Sequence, residues 1–231
     1  MKDIPVFEKN SLLVIASVPE RGSVADVLVS KGDTLLKDLK KNSKIGTSSL
    51  LRVAELRRMR HDLDPKPIRG NVETRIRKVD SGEFDAVVLA EAGLARLEIT
   101  GRISEKLPIE DFMPAPGQGA LAVVTRSDNP KVIDLLKSIE HPPTREEIEA
   151  ERELVRTLEG GCKVPVGALA RSDGNRIRIV ACIFSIDGKE KLLAERTGRV
   201  QDGIVLARAI GEELIEKGAK RIEESWRTVY V

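Results

Sequence analysis

Aromatic residues are scarce in this chain: one Trp, one Tyr and four Phe make up 3% of its 231 residues. So few rings cannot build the stacking platforms on which single-stranded nucleic acid is held. Cysteine and histidine are nearly as rare, with two of each. Two cysteines make no disulfide framework and fit a reducing cytoplasm, and no Cys, His or carboxylate group has metal-ligand spacing. Long hydrophobic runs are also missing. The apolar stretch at 86–90 falls far short of the ~20 residues of a membrane span. Lys2, Asp3 and Glu8 precede any apolar segment, so no secretory leader is expected. Nor does one sign of charge dominate, since 39 Lys and Arg against 37 Asp and Glu leave a formal +2.

What is present is enough apolar material, 41%, to bury a core, spread over a length that suits one large domain or two smaller ones. The charge is unevenly placed. Between positions 44 and 78 ten basic residues stand against four acids, a local +6 inside an otherwise acidic chain. Such a block either attracts an anionic partner or coats solvated helix faces.

Hydrophobic periodicity predicts strands over 12–17 and 26–29, a helix over 34–41 with Asp33 as N-cap, and a strand end at 44–46. A helix follows to about position 61, capped by Thr47 or Ser48, then a short strand at Ile68. Asn71 caps a helix to Asp80, and 85–90 is a buried strand. This βαβαβ rhythm implies parallel strands covered by helices. Residues 112–119, rich in Pro and Gly, read as a linker or crossover before a strand at 121–125 and a helix at 129–139. Thr144 and Glu147 form a capping box for a helix to about 158. Three strands (164–170, 176–184, 191–200) and a helix (202–217) then make a small α+β domain that starts near His141.

Several segments are candidate sites. Gly46-Thr47-Ser48-Ser49 ends a strand and opens a helix, where free N–H groups and hydroxyls suit a carboxylate or phosphate; the same turn also serves as an ordinary cap. It is no Walker P-loop, because no Gly-Lys-Ser/Thr follows. Arg69-Gly70-Asn71 and Arg75, at a strand end and in the helix that follows, either face the sheet edge where open α/β folds bind ligands or are ordinary arginines on a solvated helix. Cys162 follows Glu159-Gly160-Gly161 and is either a reactive or modified thiol or an ordinary loop thiol, whereas Cys182, in an apolar run, reads as an inert core residue. His61 and His141 read as loop residues, so no Cys/His hydrolase is supported.

In order and content these motifs resemble the hydroxymethylbilane synthase, or porphobilinogen deaminase, family. The matching residues are Gly46 to Ser49 with Arg52, Arg69-Gly70-Asn71-Val72 with Thr74-Arg75, and Leu89-Ala90 with Ala92-Gly93-Leu94 and Arg96. Pro114-Ala115 with Gly117-Gln118-Gly119 and Glu159-Gly160-Gly161-Cys162 with Val164-Pro165 complete the series. The resemblance covers essentially the whole chain. It implies a transferase of tetrapyrrole (haem) biosynthesis that joins four porphobilinogen units into hydroxymethylbilane, releasing ammonia each time. It further implies a dipyrromethane cofactor attached to Cys162 as a thioether and held by Lys2, Thr47, Ser49, Arg52, Arg69 and Arg75, with Arg96 and Gln118 contacting substrate. Each pyrrole bears an acetate and a propionate, which arginines bind through charge-assisted contacts.

The family's catalytic carboxylate lies in a His-Ser-x-Lys-Asp-x-Pro motif, of which Met1 to Pro5 match the second half, with Asp3 as the carboxylate. The implied fold is α/β, with periplasmic-binding-protein-like lobes and a small C-terminal α+β domain. Residues 1–20 and 120–137 are then the remnant of a first lobe that is largely missing, 21–119 a complete second lobe, and 141–231 the C-terminal domain with the cofactor cysteine. The chain is thus expected to be shortened at its N-terminal side, and a complete form to be a cytoplasmic monomer with porphobilinogen as its partner and neither nucleic acid nor membrane. A second departure is Leu51, where the family pattern has an arginine. The competing reading is an impaired anion-binding remnant of the enzyme.

Overall fold

The computed structural model describes residues 1–4, 12–158 and 165–230. After β1 (Leu13–Ser17) the chain enters β2 (Asp26–Ser30), which is buried on both faces. Its side chains alternate between two cores: Val27 and Val29 join Ile76, Val79 and Leu94, while Leu28 joins Leu36, Ile45, Leu56 and Phe112. That period-two split is what a strand covered on both sides requires. The rest of this unit is β3 (Lys44–Gly46), α1 (Leu50–Met59), β4 (Asp64–Lys66), α2 (Val72–Asp80), β5 (Ala86–Ala90), α3 (Glu91–Arg96) and β6 (Glu105–Lys106). The sheet order is β4-β3-β5-β2-β6.

Only part of the expected parallel pattern is found. β3 runs parallel to β4 and β5, but β2 is antiparallel to both β5 and β6. The reason lies in the segment between β2 and β3, where a crossover helix was expected over 34–41. Two single 3₁₀ turns stand there instead, at Lys31–Asp33 and Leu36–Asp38. Inside the expected helix Thr34, Leu35 and Leu39 are extended (ψ 127°, 157° and 140°), which breaks any continuous helix. The Leu36 N–H donates to the Glu105 carboxylate at 2.6 Å, a tertiary partner that local pattern cannot reveal. Ile68 lies just beyond β4 rather than in a strand, and Ser49, not Thr47 or Ser48, caps α1 by accepting from the Arg52 N–H.

β7 (Val123–Arg126) pairs antiparallel with β1 in a separate two-stranded sheet, followed by α4 (Pro130–Leu136). α5 (Pro142–Leu158) then leads to an antiparallel meander of β8 (Val166–Asp173), β9 (Arg176–Phe184) and β10 (Lys191–Arg199), covered by α5, α6 (Gly203–Glu216) and α7 (Ala219–Tyr230). Ala150, Leu154, Ile177, Ile179, Ile210 and Trp226 pack in its core, and Leu51, Ala54 and Met113 join from the first unit. α7 was not expected: Gly218, at φ 105°, interrupts the helical pattern that Ile222 and Trp226 then resume on a buried face. The capping box is not formed either. α5 opens at Pro142, the Thr144 hydroxyl meets His141 Nδ1 at 2.8 Å, and Glu147 accepts from the Ser172 N–H at 2.9 Å.

One buried carboxylate ties these parts together. Glu151 on α5 accepts from Arg21 Nη1 and Nη2 at 2.7 and 3.0 Å, from the Gly117 N–H at 2.6 Å and from the Ala170 N–H at 2.9 Å. Arg21 and the two backbone N–H groups thus satisfy a fully buried carboxylate, and removing one partner of such a buried pair costs about 3–5 kcal/mol.

Candidate active site

A cavity of about 360 Å³ opens beyond the end of β5, at the N-terminal ends of α2 and α3, against the loop at 117–121 and the segment at 1–4. Lys2, Asp3, Arg52, Arg75, Arg96 and Gln118 all line it, although they are scattered over 116 positions of sequence.

The floor is a buried network. Arg52, projecting from the first turn of α1, donates from Nε and Nη2 to the two oxygens of Asp26 at 3.0 and 2.7 Å, from Nη1 to the Val88 carbonyl at 3.1 Å and from Nη2 to Gln118 Oε1 at 3.4 Å. Gln118 Nε2 donates in turn to the Val24 carbonyl at 2.7 Å and to Asp26 Oδ1 at 2.8 Å, and Lys2 Nζ reaches Gln118 Oε1 at 3.3 Å. Arg52 is thus held bidentate, with most of its donors occupied. Asp26 was missed in the sequence. Its signal was a lone carboxylate opening a strand that is otherwise apolar and buried.

The walls hold cations with capacity to spare. Arg75 Nε donates to the Gly70 carbonyl, and Arg96 Nη2 to the Gly119 carbonyl, both at 2.8 Å; their other N–H groups make no hydrogen bond to the described residues. Burial first, and then the Arg52 charge nearby, hold both Lys2 and Arg75 below their ordinary pKa. Counting Asp26 behind Arg52, two carboxylates face four cations, leaving a surplus of two positive charges around one concave space. Such a donor set fits a ligand bearing several carboxylates.

Other expected residues lie elsewhere. Thr47 is buried and its hydroxyl accepts from the Ser49 N–H at 3.2 Å, while the Ser49 hydroxyl caps α1; neither lines the cavity. Arg69 is exposed, outside the lining, and pairs with none of the described residues. Asp3 is exposed at the cavity mouth. Cys162 lies outside the described residues. Cys182 is fully buried, and burial with the nearby Glu55 pushes its thiol up to about 12. Leu51 packs, 4% exposed, among the C-terminal core residues. Among the described residues no group of three His, Cys, Asp or Glu could hold a metal, and no helix is long and apolar enough to cross a membrane.

Comparison with known families identifies the family of the chain. The profile of the porphobilinogen deaminase dipyrromethane cofactor binding domain matches residues 1–134, and that of the porphobilinogen deaminase C-terminal domain matches 145–217. The chain belongs to the porphobilinogen deaminase family. It is 45% identical to a probable porphobilinogen deaminase of Nitrosopumilus maritimus over 98% of this chain and 72% of that protein. To the porphobilinogen deaminase of Desulforudis audaxviator it is 43% identical, over 96% of this chain and 72% of that one. A solved YaeC-family lipoprotein of Enterococcus faecalis aligns with 55% of this chain and 62% of its own at 19% identity, with a TM-score of 0.38. As a member of the porphobilinogen deaminase family the chain is a transferase, a hydroxymethylbilane synthase of tetrapyrrole biosynthesis with dipyrromethane as its cofactor.

Proposed function

We propose that the cavity is where porphobilinogen units are bound and joined, and that its residues divide the work as follows. Arg75 and Arg96 bind the acetate and propionate groups of the pyrroles, at about 1.5–3 kcal/mol per hydrogen bond to a charged group. Lys2 adds a point charge at the rim. Arg52, fixed by Asp26, forms a preorganised positive floor and holds Gln118 with its amide aimed inwards. Arg69, exposed outside the lining, serves the more distant carboxylates, while Thr47 and Ser49 order the turn that opens α1 and presents Arg52. Asp3 accepts from pyrrole N–H groups and stabilises the positive charge that develops on the ring as ammonia leaves.

The surplus of cations suits dipyrromethane, itself a polycarboxylate, and Cys162 would hold it as a thioether. When bound, that group supplies the free pyrrole α-carbon on which the chain is primed. Most binding side chains belong to 21–119, the proposed second lobe, whereas Lys2 and Asp3 come from 1–20, which with 120–137 forms part of a first lobe; 141–231 is the C-terminal domain that carries Cys162. Porphobilinogen is the small-molecule partner, and the inert Cys182 thiol and scarce aromatic residues favour a cytoplasmic enzyme that binds no nucleic acid. The observation that carries the reading is the convergence of Arg52, Arg75, Arg96 and Lys2 on one cavity. Intact mass and peptide mapping of protein purified from a porphyrin-making host test it. Excess mass on the peptide containing Cys162 is expected; the bare mass throughout would refute the assignment.

A further inference from the structure

Asp3 makes no hydrogen bond to any described residue, so its position is set by how the backbone of residues 1–4 is held. That segment is a turn, closed by the Ile4 N–H donating to the Met1 carbonyl at 2.9 Å. It rests on Gly117, whose φ is 76°; a Cβ there would lie 3.0 Å from the Lys2 nitrogen and 3.2 Å from Met1 Cγ. Met1 N donates to the Ala120 carbonyl at 2.9 Å. A further tie comes from α5: Arg152 Nη1 donates to the Ile4 carbonyl at 3.1 Å and lies 4.0 Å from Met1 Sδ.

We infer that Arg152 is a positioning residue for the transferase reaction, fixing the Asp3 turn to the helix that leads to Cys162. Two features give it that role. Its neighbour Glu151 binds the Gly117 N–H, Arg21 and the Ala170 N–H, so this part of α5 is a rigid reference for the cavity wall as well as for the turn. α5 then ends at Leu158, four positions before Cys162 in the sequence, so the helix that ties down the turn carrying the carboxylate is also the described element nearest in sequence to the thiol. Arg152 is not itself among the residues lining the cavity; it acts on the Asp3 turn through the Ile4 carbonyl and its contact with Met1.

The inference rests on the proposed role of Asp3, and the test separates the two. In the Arg152→Ala variant of the full chain, kcat is expected to fall about 100-fold with KM within about twofold, because a displacement near 1 Å at a reacting group costs that much. The mass adduct at Cys162 is retained, and hydrogen exchange at the Ile4 amide quickens about 10-fold as the turn opens more readily. Added guanidinium restores part of the rate, as does Arg152→Lys, which keeps one donor. In the Asp3→Asn background Arg152→Ala adds little further loss, since the two residues act through one group. Wild-type kcat in Arg152→Ala, with Asp3→Asn inactive, overturns the inference alone; wild-type kcat in Asp3→Asn overturns the role of Asp3. Equal loss in the Ala and Lys variants, with no guanidinium rescue and unchanged Ile4 exchange, assigns Arg152 to folding and also overturns the inference.

Discussion

Replacing Glu55 by Gln should stabilise the protein by an amount that grows with pH. Glu55 sits on α1 one turn beyond Arg52 and is fully buried, and no side chain among the described residues pairs with its carboxylate. Burial chiefly, and then the Asp26 charge, push its pKa well above the ordinary value; the Met113 backbone N–H, Arg52 and Lys191 pull the other way without winning. An acid whose folded pKa is raised costs nothing below its unfolded value near 4.5. Above it the unfolded state releases a proton that the folded state keeps, and stability falls by about 1.4 kcal/mol per pH unit until the folded pKa is reached. Gln is nearly isosteric and cannot ionise, so the variant lacks this slope. With about 2–4 °C of melting temperature per kcal/mol at this chain length, the variant should gain roughly 3–6 °C on the wild type for each pH unit above 5. Differential scanning fluorimetry at pH 5, 6, 7 and 8 reads this directly. Parallel curves, or a wild type that gains on the variant as pH rises, would show an ionised and satisfied carboxylate and refute the reasoning.

The other expectations are simpler. Arg75→Leu removes one carboxylate contact and should raise KM for porphobilinogen about 10–150-fold, the range set by one charge-assisted hydrogen bond; an unchanged KM argues against a role in binding. Cys182, with its thiol pushed up to about 12, should resist iodoacetamide in the native protein at pH 8 and react only after denaturation; native labelling at Cys182 would contradict its burial. Glu140 accepts from Arg145 and from the Val18 N–H at 2.8 Å, and its pKa is lowered chiefly by Arg145. Its contribution is therefore present above the unfolded carboxylate pKa and lost as pH falls through the lower folded value. Glu140→Gln should accordingly melt below wild type at pH 7, with the gap closing in acid; a constant gap would rule out that linkage.

Local chemistry was legible and partner choice was not. The α2 cap at Asn71, the buried strand at 86–90, the α5 stretch to Leu158 and the three-stranded meander all follow from neighbours a few positions apart. The helix expected over 34–41 fails because Leu36 and Leu39 are drawn into a core and Glu105 takes a backbone N–H. The direction of β2 likewise depends on β5, some 60 positions away. The site divides the same way. The order of motifs pointed to Arg52, Arg75, Arg96 and Gln118, but only the fold shows that Asp26 holds Arg52 and that Arg152 reaches the Ile4 carbonyl. Asp26 showed only as a lone carboxylate opening an apolar strand, and Arg152 carries no spacing that distinguishes it from an ordinary surface charge.

Porphobilinogen consumption by the purified chain, with ammonia and hydroxymethylbilane measured together, bears most directly on the central claim that the cation-lined cavity is the site of tetrapyrrole assembly. The expected result is about four ammonia released per hydroxymethylbilane formed, lost in Asp3→Asn while the adduct at Cys162 remains. Adduct-bearing protein that consumes no porphobilinogen, or an Asp3→Asn variant that works at the wild-type rate, would contradict it.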